Sequence, residues 1–298
     1  MKKDLLTLGE LSAKEIEWVL KRSSVLKKAR KAKKNPQTLK GKTLAMVFEK
    51  PSTRTKASFD VAMYELGGHS LTLDSSSSQL GRGETYQDTG RVLSRFVHGI
   101  MLRTFAQKNL EQMAEGSSVP VINGLSDLYH PCQILTDLFT AAENGKNLKK
   151  GRIAYVGDGN NMANTWILAA KILGFELRIA TPRGFETSKE MDTKGFKNIV
   201  LTNDPIEAVL EADVVNTDTW FSMGQEVSAE KRGLFEPYQV NRSLLKNAKK
   251  DAIVLHCLPA HRGEEITDGV MDGPQSRVFD EAENRLHVQK AILERLLK

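Results

Sequence analysis

Short apolar runs alternate along this chain with segments in which apolar residues recur at helical spacing. Thr43–Phe48 is an unbroken apolar run, which predicts a strand buried on both faces. In 59–66 the apolar residues follow the spacing i, i+3, i+4, i+7, which predicts one face of a helix, and Gly67-Gly68 ends it. A buried strand followed by an amphipathic helix is typical of parallel α/β sheets.

The same alternation continues to the end of the chain. Ser12 and Glu15 form a capping box, which predicts the start of a first helix. Further strands are predicted at 69–73, 100–103, 119–122, 153–156, 177–180, 214–217 and 253–256, and further helices at 131–143, 163–173, 206–210 and 281–297. The polar, basic stretch 146–150 separates two such series, and 298 residues are enough for two domains. We therefore predict two α/β domains with parallel sheets, in which ligands bind beyond the carboxyl ends of the strands.

Composition narrows the class of protein. The chain has 40% hydrophobic and 27% charged residues, as is usual for a globular protein. It has no run of the roughly 20 apolar residues that a membrane span requires, and the start, MKKDLLTLGELSAKE, lacks the continuous apolar core of a signal peptide. The two cysteines, Cys132 and Cys257, provide neither a disulfide framework nor a zinc-binding spacing, which favours a reducing, cytoplasmic setting.

The net charge of +6 leaves the type of partner open. The excess of basic residues is concentrated at 27–42 and is not interleaved with aromatic residues. Such a run is typical of a solvated helix end and loop. It is also compatible with a field that steers an anionic small substrate, or with a nucleic-acid surface.

Polar side chains follow the predicted strands of the first series. Ser52-Thr53-Arg54-Thr55 comes after the first strand at a helix start, where N–H groups, hydroxyls and a guanidinium can bind a phosphate. Arg103 ends another strand, and His130 and Gln133, which can contact a carbonyl group, lie at the start of a helix after a third. Each of these residues could instead be a helix cap or a surface charge. The chain lacks the Walker A lysine motif, which excludes a P-loop nucleotide site.

The first predicted strand of the second series is followed by Gly157-Asp158-Gly159-Asn160-Asn161-Met162. The segment partly matches a dinucleotide-binding fingerprint, but Met162 stands where the third glycine belongs. The two asparagines at a helix start could instead bind the head group of an amino acid.

Two further strand ends of the second series carry reactive groups. Asp218 is a natural partner for an ammonium group, or alternatively a cap of a turn. Cys257 follows the last strand, where a buried structural thiol is the alternative. His256, His261 and Cys257 are too close together on an extended segment to bind one zinc ion comfortably.

Together these motifs resemble the aspartate/ornithine transcarbamoylase family, and within it the ornithine branch. The resemblance runs nearly from end to end. It rests on Ser52-Thr53-Arg54-Thr55, His130-Pro131-Cys132-Gln133, Asp218 with Ser222-Met223-Gly224, His256-Cys257-Leu258-Pro259, and Glu283-Asn284-Arg285. The aspartate branch usually has threonine where Cys132 stands, and lacks the second-domain Ser-Met-Gly and His-Cys-Leu-Pro motifs.

The resemblance implies a fold and a role for each motif. The fold is two doubly wound parallel-sheet domains with the active site in the cleft between them. Residues 1–145, joined by the C-terminal helix at about 281–298, would bind carbamoyl phosphate, and residues 150–280 would bind ornithine. Carbamoyl phosphate would contact Ser52, Thr53, Arg54, Thr55, Gln79, Arg103, His130, Gln133 and Arg285. Ornithine would contact Asn161, Asp218, Ser222, Met223, Cys257 and Leu258. Arg103, His130 and Cys257 are expected to take part in catalysis.

The implied reaction is carbamoyl transfer from carbamoyl phosphate to the side-chain amine of L-ornithine, which yields L-citrulline and phosphate in arginine biosynthesis. No metal ion and no cofactor are expected, and neither nucleic acid nor a membrane is an expected partner. The loop at 75–84, which carries Gln79, is expected to reach the site of a neighbouring subunit, so a homotrimer or a multiple of trimers is implied. Three alternatives remain: a transcarbamoylase for putrescine or a modified ornithine, a nicotinamide-dependent oxidoreductase, and a nucleic-acid-binding protein.

Overall fold

The computed structural model describes residues 3–221 and 228–298. The chain divides into two units, one of Met1–Thr136 with Glu283–Lys298 and the other of Asp137–Ala282. In both units, the paired strands of the described residues run parallel. Parallel strands require crossover connections, which here contain helices or long loops.

The first unit is built on a sheet of four described strands. They are β1 (Thr43–Phe48), β2 (His69–Asp74), β3 (Gly99–Arg103) and β4 (Val121–Leu125). Their spatial order is β2-β1-β3-β4, so the chain continues to one side of β1 and then returns to its other side. This reversal between β1 and β3 is a topological switch point, where ligands bind in α/β sheets.

The second unit contains a sheet of five described strands. They are β5 (Arg152–Val156), β6 (Glu176–Ala180), β7 (Ile199–Thr202), β8 (Val214–Thr217) and β9 (Ile253–His256). Their order is β7-β6-β5-β8-β9, which places the corresponding switch point between β5 and β8.

Helices connect and cover these strands. They are α1 (Ala13–Lys31), α2 (Thr53–Glu65), α3 (Tyr86–Leu93), α4 (Gln107–Gly116), α5 (Pro131–Glu143), α6 (Asn161–Leu173), α7 (Pro205–Val209), α8 (Ala229–Phe235), α9 (Arg242–Leu245), α10 (Asp268–Met271) and α11 (Val278–Leu297). The predicted capping box is confirmed: Glu15 N–H donates to Ser12 Oγ (3.3 Å), and Ser12 N–H donates to the Glu15 carboxylate (2.8 Å). None of the helices in the described ranges combines the length and the hydrophobicity that crossing a bilayer requires.

The last part of α11 is fastened to the first unit by buried ion pairs. Lys290 Nζ donates to Glu65 Oε2 (2.6 Å), and Arg22 Nη2 donates to Glu294 Oε1 (2.8 Å). Lys290 and Glu294 are almost fully buried, so each needs its partner to offset the loss of hydration. These pairs fix the register of α11, and with it the position of Arg285.

Most predicted elements are confirmed, and the strands at 43–48, 214–217 and 253–256 agree to the residue. The strand predicted at 119–122 begins later, at Val121, and continues through Asn123-Gly124. A polar residue is accommodated there because Asn123 Nδ2 donates to the Leu6 carbonyl oxygen (2.8 Å).

The sequence analysis did not predict the edge strand β7 or the helices α3, α4, α8, α9 and α10. One glycine lies within α3 and another is the last residue of α4, and each has a packing reason. A Cβ atom at Gly90 would lie 2.6 Å from the Met113 carbonyl oxygen, and one at Gly116 would lie 2.1 Å from the Gln87 carbonyl oxygen. The two helices can approach this closely only where a side chain is absent.

Candidate active site

The switch point of the first sheet brings two of the predicted segments together. Phe48, the last residue of β1, is paired with Arg103 at the end of β3. The turn 52–55 and Arg103 therefore leave neighbouring strands at the same edge of the sheet. Arg103 is only 9% exposed, so the alternative of a surface charge is wrong for this residue.

Arg285 connects the turn to the helix that follows β4. Its Nη2 donates to Thr55 Oγ1 (3.0 Å) and its Nη1 donates to Gln133 Oε1 (2.9 Å). The guanidinium group belongs to a residue that is 4% exposed, and its rigid fork lets one side chain hold both acceptors. Ser52 also caps α2, because its Oγ accepts from Thr55 N–H (3.3 Å). Residues predicted from three separate motifs are thus in contact within one unit.

His130 lies in a buried and strongly basic environment at the start of α5. Burial and the positive charges of Arg285 and Arg103 hold the pKa of its imidazole well below the usual value. The ring is therefore neutral at physiological pH, and its N–H can donate to a carbonyl oxygen. The two guanidinium groups add positive charge where a carbonyl oxygen would become negative.

Cys132, next to His130, is a structural thiol. Its Sγ donates to the Asn123 carbonyl oxygen (3.4 Å), and burial raises the pKa of the thiol to about 12. It holds the start of α5 against β4.

A cavity of about 570 Å³ opens beside the turn. Its lining includes the hydroxyl-bearing residues Ser52 and Thr53, the cationic residues Lys50 and Lys56, and the acidic residues Glu49 and Asp74. This volume is within the range of small-molecule sites. The two lysines and the two carboxylates balance, so the lining alone does not select an anion.

Glu49 supports this site, although the sequence analysis did not single it out. Its carboxylate accepts hydrogen bonds from Thr104 Oγ1, from the Tyr86 hydroxyl and from Phe105 N–H. Its own N–H donates to the Arg103 carbonyl oxygen (2.9 Å). Glu49 thereby fixes the end of β1, and the turn that follows, relative to Arg103. The sequence did contain one indication of this role: Glu49 directly follows a buried strand, where a carboxylate needs hydrogen-bond donors.

Gln79 is exposed and lies between two short 3₁₀ helices, Ser75–Ser77 and Leu80–Arg82. Among the described residues, its side chain makes no hydrogen bond to the turn 52–55. Its assignment to the site of a neighbouring subunit stays a prediction.

In the second unit, hydrogen-bond donors surround the carboxylate of Asp218. Its Oδ1 accepts from Cys257 Sγ–H (3.0 Å) and from Thr219 N–H (2.8 Å), and its Oδ2 accepts from Asn160 Nδ2 (3.0 Å). Asp218 is 8% exposed. One carboxylate thus joins the segments that follow β5, β8 and β9 at the second switch point.

Cys257 is a neutral thiol in this environment. Burial, the negative charge of Asp218 and the hydrogen bond to it raise the pKa of Cys257 well above the usual value. The side chain is therefore not a thiolate. Its sulfur can accept a weak hydrogen bond from an amine, so the catalytic role expected for Cys257 is limited to positioning that amine.

His256 holds the segment around Cys257 in place. Its Nδ1 accepts from Leu258 N–H (2.9 Å), and its Nε2 is hydrogen-bonded to Glu265 Oε1 (2.9 Å). Leu258 takes a positive φ of 60°, a conformation that an L-residue keeps only where its surroundings impose it. The donor atoms of Asp218, His256 and Cys257 lie within 4.8 Å of one another. Both ring nitrogens of His256 are already hydrogen-bonded, so this arrangement does not offer the imidazole to a metal ion.

The segment after β5 supplies a second carboxyl group that sequence reasoning did not single out. Burial and the negative charge of Asp218 raise the pKa of Asp158 to about 7. A cation bound at Asp218 would lower this pKa again. Asn161 is the first residue of α6, whereas Ser222 and Met223 lie outside the described residues.

Gly159 has a packing role that differs from binding a dinucleotide. A Cβ atom at this position would lie 2.3 Å from the backbone of Glu186. Its N–H donates to the Phe185 carbonyl oxygen (2.9 Å). Contact with the neighbouring loop therefore explains this glycine without the oxidoreductase alternative.

Comparison with known proteins identifies the family of the chain. Residues 3–143 match the aspartate/ornithine carbamoyltransferase, carbamoyl-P binding domain, and residues 149–296 match the Asp/Orn binding domain of the same enzymes. The chain belongs to the aspartate/ornithine carbamoyltransferase family, which confirms the resemblance found in the sequence.

Similar proteins fall within the ornithine branch. The chain is 52% identical over 302 residues to the ornithine carbamoyltransferase of Syntrophus aciditrophicus and 51% identical over 301 residues to that of Syntrophotalea carbinolica, with 100% of both chains covered in each case. The solved structure of the ornithine carbamoyltransferase from Pyrococcus furiosus has a TM-score of 0.95 at 48% identity, covering 99% of this chain and 97% of that one. The predicted α/β fold class is confirmed.

Proposed function

We propose that this protein transfers the carbamoyl group of carbamoyl phosphate to the side-chain amine of L-ornithine, giving L-citrulline and phosphate. The observation that carries the proposal is the full-length similarity, at 51–52% identity, to proteins named ornithine carbamoyltransferase. This similarity favours ornithine over putrescine or a modified ornithine. The buried carboxylate of Asp218 supports the choice, because it offers an acceptor to the α-ammonium group of a free amino acid.

Carbamoyl phosphate is assigned to the first unit. Its phosphate is bound by the turn Ser52-Thr53-Arg54-Thr55, and its carbonyl end by Arg103, His130 and Gln133. Arg285 contributes by holding Thr55 and Gln133 in register. Preorganised donors of this kind stabilise charge without having to reorient during the reaction.

Ornithine is assigned to the second unit. Its α-amino and α-carboxylate groups are bound by Asn161, Asp218, Ser222 and Met223. The side-chain amine is placed by the sulfur of Cys257 and the carbonyl oxygen of Leu258. Both groups are hydrogen-bond acceptors, which suits the N–H groups of the neutral amine that must attack. The pKa of the ornithine side-chain amine in solution is lysine-like, roughly 10.4.

The chemical steps follow from these positions. The nitrogen lone pair forms a bond to the carbamoyl carbon, and the carbonyl π electrons move to the oxygen. The tetrahedral intermediate then collapses, the bond from carbon to the phosphate oxygen breaks with its electron pair going to that oxygen, and the nitrogen gives up its proton to the departing phosphate. Arg103 and the neutral His130 stabilise the oxyanion, and Arg54 stabilises the departing phosphate. These steps use side chains and backbone groups alone, and they fit a cytoplasmic enzyme of arginine biosynthesis.

A colorimetric citrulline assay tests the function. Purified protein with carbamoyl phosphate is expected to form citrulline from L-ornithine. Putrescine and N-acetyl-ornithine are expected to react at less than about one hundredth of that rate, because neither presents both a free α-ammonium and a free α-carboxylate group. A faster reaction with putrescine would refute the assignment.

We further propose a trimer in which Gln79 completes the site of a neighbouring subunit. Its exposed position and the exposed glycine-containing loop around it support this arrangement. In a closed ring, each site would combine Arg54 of one subunit with Gln79 of the next.

Mixed oligomers test this sharing. Arg54→Ala and Gln79→Ala are each expected to be nearly inactive alone. When the two variants are denatured together and reassembled in equal amounts, about a quarter of the sites should contain neither substitution, because each contribution is intact with even odds. Reassembled activity no higher than that of the separate variants would contradict shared sites, and unsubstituted protein treated in the same way controls for reassembly.

A further inference from the structure

Asn160 links a buried tyrosine to the carboxylate of Asp218. Its Oδ1 accepts from the Tyr155 hydroxyl (3.2 Å), and its Nδ2 donates to Asp218 Oδ2 (3.0 Å). Tyr155 belongs to β5 and is fully buried. Burial and the nearby negative charge of Asp218 raise the pKa of this phenol well above its usual value, so it keeps its proton and remains a donor. The three side chains form a hydrogen-bonded chain that runs from phenol to amide to carboxylate.

Helix capping explains only part of this arrangement. Asn160 Oδ1 also accepts from Met162 N–H (2.9 Å), which caps α6. A cap requires only an acceptor, and serine or aspartate provides one equally well. The Nδ2 group has no part in the cap. Because two donors hold Oδ1, the amide cannot flip without losing both, and Nδ2 is therefore directed at Asp218.

We propose that Asn160, held by Tyr155, is a positioning residue for ornithine: it fixes the orientation in which Asp218 meets the α-ammonium group. The inference rests on the proposed function, in which Asp218 receives that group. Asp218 Oδ1 is already occupied by Cys257 and Thr219, so the bond from Asn160 to Oδ2 completes the set that fixes the rotation of the carboxylate. Loss of this donor weakens ornithine binding, although every residue that is proposed to contact ornithine is still present.

Two substitutions isolate the donor and its support. Asn160→Asp keeps an acceptor for the helix cap but removes the Nδ2 donor and adds a further carboxyl group beside Asp218 and Asp158. It is expected to raise KM for ornithine at least tenfold. Tyr155→Phe removes one hydroxyl and is expected to raise the same KM about three- to tenfold, the usual effect of one hydrogen bond. For both variants, KM for carbamoyl phosphate should stay within twofold.

The second unit offers a matched control for each change. Asn241 caps α9 through its Oδ1, which accepts from Leu244 N–H (3.0 Å). The Tyr238 hydroxyl donates to the carbonyl oxygens of Thr181 (3.0 Å) and Asn203 (2.6 Å). Asn241→Asp and Tyr238→Phe thus remove the same groups from a cap and from a buried tyrosine without touching Asp218. Both are expected to leave KM for ornithine within twofold.

Steady-state kinetics with each substrate varied in turn, together with thermal melting, decide the matter. A selective rise in KM for ornithine in both test variants and in neither control supports the inference. Test variants that behave like their controls, or that lose kcat and melting temperature with both KM values unchanged, overturn it and leave Asn160 as a cap alone. The unsubstituted protein separates the two hypotheses: without citrulline formation the proposed function itself fails, whereas with it only the positioning role is at stake.

Discussion

Replacing Arg54 with alanine is expected to lower kcat/KM for carbamoyl phosphate about a thousandfold. Arg54 is the second residue of α2, at the helix start to which the phosphate is assigned, and helix N–H groups at such a position favour an anion. Removing one preorganised donor from a developing anion typically lowers the rate about a hundredfold to a thousandfold. Arg54 also has a role in binding the substrate, which places the expected loss at the upper end.

Two companion variants separate geometry from charge. Arg54→Lys keeps the positive charge but loses the planar fork, so an intermediate loss is expected. Arg91→Ala removes an exposed arginine of α3, paired with Asp88 at 2.9 Å, and should leave the kinetics unchanged. The initial rate is measured against carbamoyl phosphate concentration at saturating ornithine. Binding of a phosphonate analogue of carbamoyl phosphate is measured independently. If the Kd of Arg54→Ala for this phosphonate is within twofold of that of the unsubstituted protein, the phosphate has been assigned to the wrong turn.

The strands of this fold could be predicted because their signals are local. A strand such as Thr43–Phe48 is apolar throughout, since both faces of a parallel sheet are covered. Helix α3 was missed because Gly90 weakens the helical pattern of a short segment, and the value of this glycine becomes visible only when the backbones of α3 and α4 meet. Helix α4 was missed although its buried residues Leu110, Met113 and Ala114 follow a helical spacing.

The residues of the candidate site also differ in whether their signals are local. The turn 52–55, Arg103 and Asp218 could be predicted as residues that follow strands, which is a property of position along the chain. The roles of Glu49 and Asn160 depend on partners that come from other segments, such as Thr104 and Asp218. Their positions after a strand and at a helix start are visible in the sequence, but the partners that define their roles are not.

Protonation states also lie beyond sequence reasoning. Burial of the Cys257 sulfur, and Asp218 at 3.0 Å from it and 39 positions earlier in the chain, raise the pKa of a thiol that is already neutral at physiological pH. Burial, together with the positive charges of Arg285 and Arg103, lowers the pKa of His130 and keeps its ring neutral. Both pKa shifts depend on burial and on charged groups from distant parts of the chain, which the sequence does not show.

Asp218 provides the second large effect. Substitution by asparagine is expected to raise KM for ornithine about a hundredfold while KM for carbamoyl phosphate stays within twofold. A hydrogen bond to a charged group contributes about 1.5–3 kcal/mol, and its upper end corresponds to roughly a hundredfold in affinity. In the unsubstituted protein, Cys257 Sγ–H and Asn160 Nδ2 both donate to the Asp218 carboxylate. The side-chain amide that Asp218→Asn introduces would point its own N–H donors at one of these two donors.

Asp213→Asn is the matched control for this substitution. Asp213 stands just before β8, at the opposite end of the strand from Asp218, and accepts from Arg152 N–H (2.8 Å) and Lys249 Nζ (2.8 Å). Its loss removes a partly buried carboxylate next to the same strand, so it should lower the melting temperature and leave both KM values unchanged. The comparison separates recognition from stability. Were Asp218→Asn to shift only the melting temperature, as the control does, the α-ammonium group of ornithine could not be bound by this carboxylate.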